Sequence, residues 1–250
     1  MEKVKLYENE RVDSLLAENL QIIQSADVFS FSLDAVLLAD FVKSVSRPDR
    51  QAVDLCVGNG AVGLFISSKF AGRIDQVEIQ SRLADMNQRS LELNGLTDRI
   101  KVYNRDLKDA FSFLEKDSYD VVTCNPPYFK TLPQSKKNPN QYLALARHEI
   151  AVTLEDTVKV TSGLLKTGGK AYYVHRPDRL IEILDTMQAH RLAPKRIKLI
   201  YPKQGRDANM VLIEAIKDGK SDGLKFLPPV ITYTDQNEYT PTIKEILYGK

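Results

Sequence analysis

No apolar run in this chain approaches the roughly 20 residues that cross a bilayer, and the charged start Met1-Glu2-Lys3-Val4-Lys5 leads into no secretory hydrophobic stretch. The chain is therefore expected to be cytoplasmic, with no membrane partner. Cysteine is scarce. The two present, Cys56 and Cys124, fall within or just after apolar strand patterns, which suits buried reduced thiols better than a disulfide or a metal site. The three histidines, His148, His175 and His190, show no ligand spacing, so no metal is expected. An excess of charge of one sign is lacking too: 35 Lys and Arg face 33 Asp and Glu, a net charge of +2 that declares no nucleic-acid partner by itself. There is no internal repeat and no low-complexity tract. What remains is 250 residues of ordinary apolar content, enough for one large α/β domain or a domain with a small appendage.

Strand-like apolar runs alternate with helical patterns, which predicts a mostly parallel sheet with helices on both faces. Strands are expected at Ala52 to Cys56, Ile74 to Ile79, Ile100 to Asn104, Tyr119 to Cys124, Lys170 to His175, Arg196 to Tyr201 and Met210 to Ile216. Helices are expected at Gly63 to Phe70, Ser81 to Leu93, Leu107 to Glu115, Leu154 to Leu165 and Pro177 to Ala189. Ahead of them, Ser32 or Asp34 reads as the cap of a helix that is apolar nearly all round and should be buried against the sheet.

Two loops at strand ends carry the chemistry. The first is Val53-Asp54-Leu55-Cys56-Val57-Gly58-Asn59-Gly60-Ala61-Val62-Gly63, with Glu78 ending the next strand twenty residues after Gly58. Read literally this is the dinucleotide fingerprint. Glycines let a ligand approach the backbone, and an acid at the second strand's end accepts from two ribose hydroxyls of any adenosine cofactor. Asp54 argues against a pyrophosphate at that helix start, which a carboxylate would repel, and in favour of a sulfonium cofactor carrying an amino group. Asp106, just beyond the third strand, reads as an acceptor for an adenine amino group, as a helix N-cap, or as both.

The second loop, Asn125-Pro126-Pro127-Tyr128, follows the run Tyr119 to Cys124, where a buried strand opens into the ligand edge of an α/β sheet. The prolines fix φ and extend the residues before them, so the Asn125 amide and the Pro126 carbonyl become two fixed acceptors for one planar NH2 group. Tyr128 offers a face for the ring that carries it, with Phe129 or Phe31 as a second face or as plain core. Asn-Pro-Pro-Tyr in isolation is equally a turn. Lys130, Lys136 and Lys137 follow directly, in a stretch from Lys130 to Asn140 with little apolar content that is expected to be a mobile loop beside the site. Arg147, His148 and Glu149 come next as a surface cluster. A second basic group comprises Lys195, Arg196, Lys198, Lys203 and Arg206, and either basic set reads as a solvated face or as phosphate contacts.

In this order the residues resemble the class I S-adenosyl-L-methionine-dependent methyltransferases with an Asn-Pro-Pro-Tyr motif, in the small-domain group. Nearly the whole chain looks like the adenine-N6 methyltransferases that modify the adenosine 3′ of the anticodon in a valine tRNA. The matches are Phe31-Ser32-Leu33-Asp34-Ala35-Val36-Leu37-Leu38-Ala39, the glycine loop, Asn125 to Tyr128, Ala146-Arg147-His148-Glu149 and Tyr239-Thr240-Pro241. The resemblance implies a Rossmann-like α/β fold with a seven-stranded, mostly parallel sheet whose last strand is antiparallel. It also implies an N-terminal helical cap over 1–45, packed on the cofactor side, and a methyltransferase domain over 46–250. It assigns Asp34, Asp54, Gly58, Gly60, Glu78, Asp106, Leu107 and Asn125 to the cofactor and Asn125, Pro126, Pro127 and Tyr128 to catalysis. Lys130, Lys136, Lys137, Arg147 and His148 are assigned to an RNA substrate, with a monomer or weak dimer as the assembly. The glycine loop departs from relatives with Gly-x-Gly-x-Gly, in that Val57 and Ala61 put bulk near the cofactor.

The Asn-Pro-Pro-Tyr motif is shared with glutamine-N5 methyltransferases of release factors and with guanine-N2 rRNA enzymes, so those acceptors stay open. Against the former stands the lack of a separate N-terminal helical domain. An NAD-dependent oxidoreductase fits the literal fingerprint but lacks a Tyr-x-x-x-Lys pair, and a noncatalytic RNA-binding module is the remaining reading.

Overall fold

A computed structural model of the chain describes residues 4–28, 31–130 and 149–249. The chain starts as an antiparallel hairpin, β1 (Glu10–Leu15) and β2 (Leu20–Ser25), turned through Asn19 at φ 54°. Helix α1 (Leu33–Phe41) follows, and the main sheet then builds with β3 (Gln51–Leu55), α2 (Ala61–Ile66), β4 (Arg73–Glu78), α3 (Ser81–Leu93) and β5 (Ile100–Asn104). After a 3-10 turn (Leu107–Ser112) come β6 (Tyr119–Cys124), α4 (Leu154–Leu164), β7 (Leu165–His175), a second 3-10 turn (Pro177–Arg179) and α5 (Leu180–Ala189). The chain closes with β8 (Leu192–Tyr201), β9 (Met210–Lys217), the two-residue strands β10 (Lys225–Phe226) and β11 (Val230–Ile231), and α6 (Pro241–Tyr248).

Seven long strands lie in the order β8-β9-β7-β6-β3-β4-β5. All neighbours from β7 to β5 are parallel, and β9, last of the seven in the chain, runs antiparallel to both β7 and β8. This is the Rossmann-like α/β arrangement. The sheet gains two further strands because β10 and β11 both pair with β8 and cover its outer edge. Two-residue strands carry too little periodicity to be read from sequence, but covering an edge removes a template for unwanted pairing.

Alternation along each strand sends neighbouring residues to opposite faces. Val121 and Tyr172 pack with α1 and α2 on one face, while Val122 and Tyr173 pack with α4 and α5 on the other. Helix α1 is buried at Ala35, Val36, Leu37, Leu38, Ala39 and Phe41, as its all-round apolar sequence predicts. The N-terminal segment is only partly helical. Its hairpin places Ile23 and the following Val28 against Leu83 and Met86 of α3, a short apolar pattern that the longer run of α1 overshadows in sequence.

Local differences have local causes. The stretch after Asp106 forms a 3-10 turn rather than an α-helix because only Leu107 and Ala110 anchor it, three residues apart, the repeat of that tighter helix. β8 begins at Leu192, before Pro194, because the register shifts between Pro194 and Arg196 and so accommodates a residue with no N–H to donate. β7 likewise runs back through Gly168 and Gly169 to Leu165. Helix α4 starts where Thr153 and Asp156 form a capping box: the Asp156 N–H donates to Thr153 Oγ1 at 3.1 Å and the Thr153 N–H to Asp156 Oδ2 at 3.0 Å.

From β3 the chain winds outward to β4 and β5, then returns to place β6 on the other side of β3. The crevice beyond the carboxyl ends of β3 and β6 is therefore the topological switch point, where open α/β sheets bind ligands. The glycine loop leaves β3 there, and Asn125 leaves β6.

Candidate active site

A cleft of about 330 Å3 opens at this switch point, in the size range of small-molecule sites. Asp34, Gly58, Glu78, Asp106 and Leu107 line it together with Asn125, Pro126, Pro127 and Tyr128. Ile79, Val57, Phe31 and Val152 supply apolar wall. Two expected cofactor residues, Asp54 and Gly60, are not part of that wall.

The glycine loop is held from the side by Glu78. Its carboxylate accepts the Gly58 N–H at 2.8 Å and the Gln80 N–H at 2.9 Å. Glu78 is only 5% exposed, and burial pushes its carboxyl up to about 7 although these N–H groups oppose the shift. Gly58 adopts φ 60°, and a Cβ there would meet nothing within 4 Å, so its open side leaves room for a ligand against the backbone. Gly60 is needed for a different reason. At φ 92° it turns the loop into α2, and a Cβ there would lie 2.0 Å from Asn87 Oδ1.

Asp54 supports the loop from behind. Strand alternation puts it on the face opposite Val53 and Leu55, under α2, where it is 1% exposed and accepts from Thr123 Oγ1 at 2.6 Å. Burial pushes its carboxyl up to about 7, against the nearby donors Thr123, Gly63 and Gln76 and with some help from the Glu78 charge. Unfolded, an aspartate titrates near 4. From there to about 7 the folded protein keeps a proton that the unfolded chain has released, so this group lowers stability as pH rises through that window. Asp54→Asn is accordingly expected to melt at a higher temperature than the wild type at pH 8, with the gap narrowing toward pH 4. Thermal melts at both pH values check this, and an equal gap at each counts against a titrating buried carboxyl.

Asp106 both caps the 3-10 turn, accepting the Lys108 N–H at 2.9 Å, and faces the cleft. Asn59, between the glycines, donates its amide to the Ile23 carbonyl at 3.1 Å and so ties the loop to the N-terminal hairpin.

The Asn-Pro-Pro-Tyr loop is fixed at three points. The Tyr128 hydroxyl oxygen lies 2.8 Å from Asp34 Oδ2 and 2.5 Å from Asn125 Oδ1. The Tyr128 ring rests against His175, with ring centroids 5.1 Å apart. The Tyr128 carbonyl accepts from Arg179 Nη1 at 3.1 Å. His175 is fully buried and its Nδ1 accepts the Arg176 N–H at 2.8 Å. Burial, with the Arg179 charge beside it, lowers its pKa to about 4, so it is neutral at pH 7. The N-cap residue Ser32 makes no cap bond. Its hydroxyl is directed at Asp34 Oδ1 instead.

From sequence, Arg179 falls within the helix expected at Pro177 to Ala189 and Glu149 in a surface cluster. The structure brings them together: Arg179 Nη1 donates to Glu149 Oε1 at 2.7 Å, and their side chains are 10% and 9% exposed. The Glu149 N–H donates to the Phe129 carbonyl at 2.8 Å, and the rest of the guanidinium forks onto Glu182. The available signal was position, since Arg179 closes the short turn that follows the carboxyl end of β7 at His175. Lys130 lies 3.0 Å from Glu182. Lys136, Lys137, Arg147 and His148 lie outside the described residues. In the second basic group, Lys195 is directed at the Lys220 and Asp222 carbonyls, Arg196 pairs with Glu214 and lies over the Phe41 ring, and Lys203 donates to the Asp235 carbonyl at 3.2 Å. No group of three metal-ligating side chains occurs among the described residues. Among the same residues no helix is long and apolar enough to cross a membrane.

The arrangement thus brings Asn125 and Pro126 into one cleft with a glycine loop and a buried acid. Among known proteins, a tRNA1(Val) (adenine(37)-N6)-methyltransferase of Porphyromonas gingivalis is 23% identical over 230 residues, 90% of this chain and 89% of that protein. A ribosomal protein uL3 glutamine methyltransferase of Bordetella pertussis is 30% identical over 118 residues, 47% of this chain and 37% of that protein. In structure, a protein from Agrobacterium tumefaciens described as a predicted O-methyltransferase superposes with a TM-score of 0.69 at 26% identity, covering 86% of this chain and 96% of that one. Residues 19–177, more than half of the chain and including both loops, match the family described as methyltransferase small domain, and the chain belongs to that family.

Proposed function

We propose that the protein transfers a methyl group from S-adenosyl-L-methionine to the exocyclic N6 of an adenine in RNA, the adenosine 3′ of the anticodon in a valine tRNA. The cofactor is S-adenosyl-L-methionine. The observation that carries the reading is that Asn125 and Pro126, on a proline-braced loop, line the same cleft as Gly58, Glu78 and Asp106.

The residues suit this cofactor. Glu78 accepts from ribose hydroxyls in addition to its two backbone donors, since a carboxylate has about four acceptor sites. Asp106 accepts from the adenine amino group, between the apolar walls Ile79 and Leu107. Gly58 leaves space for the methionine portion. When bound, the cofactor supplies an electrophilic methyl on a sulfonium.

An exocyclic amino nitrogen is a poor nucleophile because its lone pair is delocalised into the ring. Asn125 Oδ1 and the Pro126 carbonyl accept its two N–H bonds in tetrahedral directions, which localises the lone pair toward the methyl carbon. As the N–C bond forms and the S–C bond breaks, the same oxygens stabilise the positive charge on nitrogen. The nitrogen then releases one proton to water, so no histidine base is required, and His175 is held neutral with its ring against Tyr128. Tyr128 offers a stacking surface to the unstacked base. Lys130, Lys136, Lys137, Arg147 and His148 are proposed to meet the RNA backbone.

The match to a glutamine methyltransferase supports a second reading, because a side-chain CONH2 presents the same two N–H donors. It extends over less of the chain than the match to the adenine-N6 relative. Incubation of a cell extract with methyl-labelled cofactor separates the two: label removed by ribonuclease supports the RNA reading, and label removed by protease overturns it.

A further inference from the structure

The Tyr128 hydroxyl has one proton, and it sits within hydrogen-bond distance of two oxygens. Asp34 Oδ2 is 2.8 Å away and Asn125 Oδ1 is 2.5 Å away. Burial raises the phenol's pKa well above its ordinary value, so the hydroxyl keeps its proton, and a carboxylate only accepts. One proton cannot serve both acceptors. If it goes to Asn125, the Asp34 carboxylate faces a bare hydroxyl lone pair, and the Asn125 nitrogen is turned to where the target nitrogen must donate. If it goes to Asp34, the Asn125 amide turns over, its Nδ2–H donates to the Tyr128 oxygen, and every partner is satisfied. The turn needs no backbone movement, because amide oxygen and nitrogen occupy nearly the same envelope. The second arrangement is favoured because a bond to an ionised acceptor is about twice as strong as a neutral one. Asp34 is itself held at its other oxygen by Ser32.

We infer that Asp34 is a positioning residue for Asn125: by taking the Tyr128 proton it obliges the Asn125 amide to turn its nitrogen to Tyr128 and its oxygen to the incoming amino group. This rests on the reading of Asn125 as the acceptor of the target N–H, and it gives Asp34 a role other than a cofactor contact. The Tyr128 hydroxyl is the relay, separate from the ring that stacks.

The test is a double-mutant cycle on the full chain, with methyl transfer to an unmodified valine tRNA transcript and S-adenosylhomocysteine affinity as the readouts. Asp34→Ala removes the competing acceptor and leaves the Tyr128 proton to block the Asn125 oxygen, so kcat is expected to fall by about a hundredfold or more, as for loss of one preorganised group, with S-adenosylhomocysteine affinity within about threefold. Tyr128→Phe removes relay and blockade together and is expected to lose less than about tenfold, because a free amide still finds the productive orientation part of the time. The distinguishing result is in the double variant: Asp34→Ala with Tyr128→Phe is expected to be at least about tenfold more active than Asp34→Ala alone. Asp34→Leu, which fills the space without an acceptor, repeats the test if Asp34→Ala does not fold. A double variant no more active than the Asp34 single variant overturns the inference, as does a loss that resides wholly in cofactor affinity. Asn125→Ala run alongside keeps the two levels apart. If it retains kcat, the acceptor reading itself fails, whereas its loss together with no rescue in the double variant overturns the relay alone.

Discussion

Asn125→Ala is expected to lower kcat for methyl transfer by roughly a thousandfold while S-adenosylhomocysteine binds within about threefold of the wild-type affinity, because the lost acceptor acts mainly on charge that develops in the transition state. The amide lines the cleft but is not a support of the glycine loop, whose Gly58 N–H goes to Glu78. Its removal therefore leaves the adenosine side of the cleft as it was. The proline frame survives the substitution as well, since Pro126 and Pro127 set the loop by their fixed φ and not through the amide. Single-turnover kinetics with a calorimetric titration of the product cofactor measures both quantities. A matching loss of affinity would show that the side chain serves the cofactor and not the acceptor.

The second large effect is expected at Arg179. Its guanidinium joins Tyr128, Glu149 and Glu182 with four donor contacts between 2.7 and 3.1 Å. Glu149 is almost fully buried, and Glu182, more exposed, is lowered to about 2, chiefly by its bond to Arg179. Arg179→Met keeps much of the side-chain bulk but strands the Glu149 carboxylate without its cation, and breaking a buried pair in this way typically costs about 3 to 5 kcal/mol. Chemical denaturation is expected to show a loss toward the lower end of that range, because Glu182 remains reachable by water. Glu149→Gln in the Arg179→Met background is expected to recover part of the stability, since it removes the stranded charge. Absence of any recovery would place the loss elsewhere, in packing or in the Tyr128 carbonyl.

These two residues mark how far the sequence could be read. β5, β6 and α3 run between the residues expected, and β3 and β4 begin and end within one residue of expectation, because buried parallel strands are continuous apolar runs bounded by loops. Asn125 was legible for the same reason: it follows such a run directly. Arg179 was not, because its contacts depend on segments 51 and 30 positions away in the chain, at Tyr128 and Glu149, meeting at one sheet edge, and periodicity carries no information about that. Asp54 lies between these cases. Its proximity to the glycines suggested a ligand contact, yet the two-residue alternation of Val53, Asp54 and Leu55 already assigns it to the face beneath α2. Pro194 and Gly168 misdirected the starts of β8 and β7, because residues that usually break strands are here absorbed by shifts in register.

The bond from Asn59 to the Ile23 carbonyl has a consequence for anyone tempted to trim the chain to its sheet. The hairpin looks like a dispensable appendage, outside the main run of strands. Cutting it away would uncover Leu83 and Met86 on α3 and deprive a fully enclosed amide of its acceptor, in the middle of the turn that shapes the cofactor side of the cleft. A shortened protein is therefore expected to keep its strands and to bind S-adenosylhomocysteine more weakly, so the N-terminal ribbon shapes the glycine turn from outside the sheet.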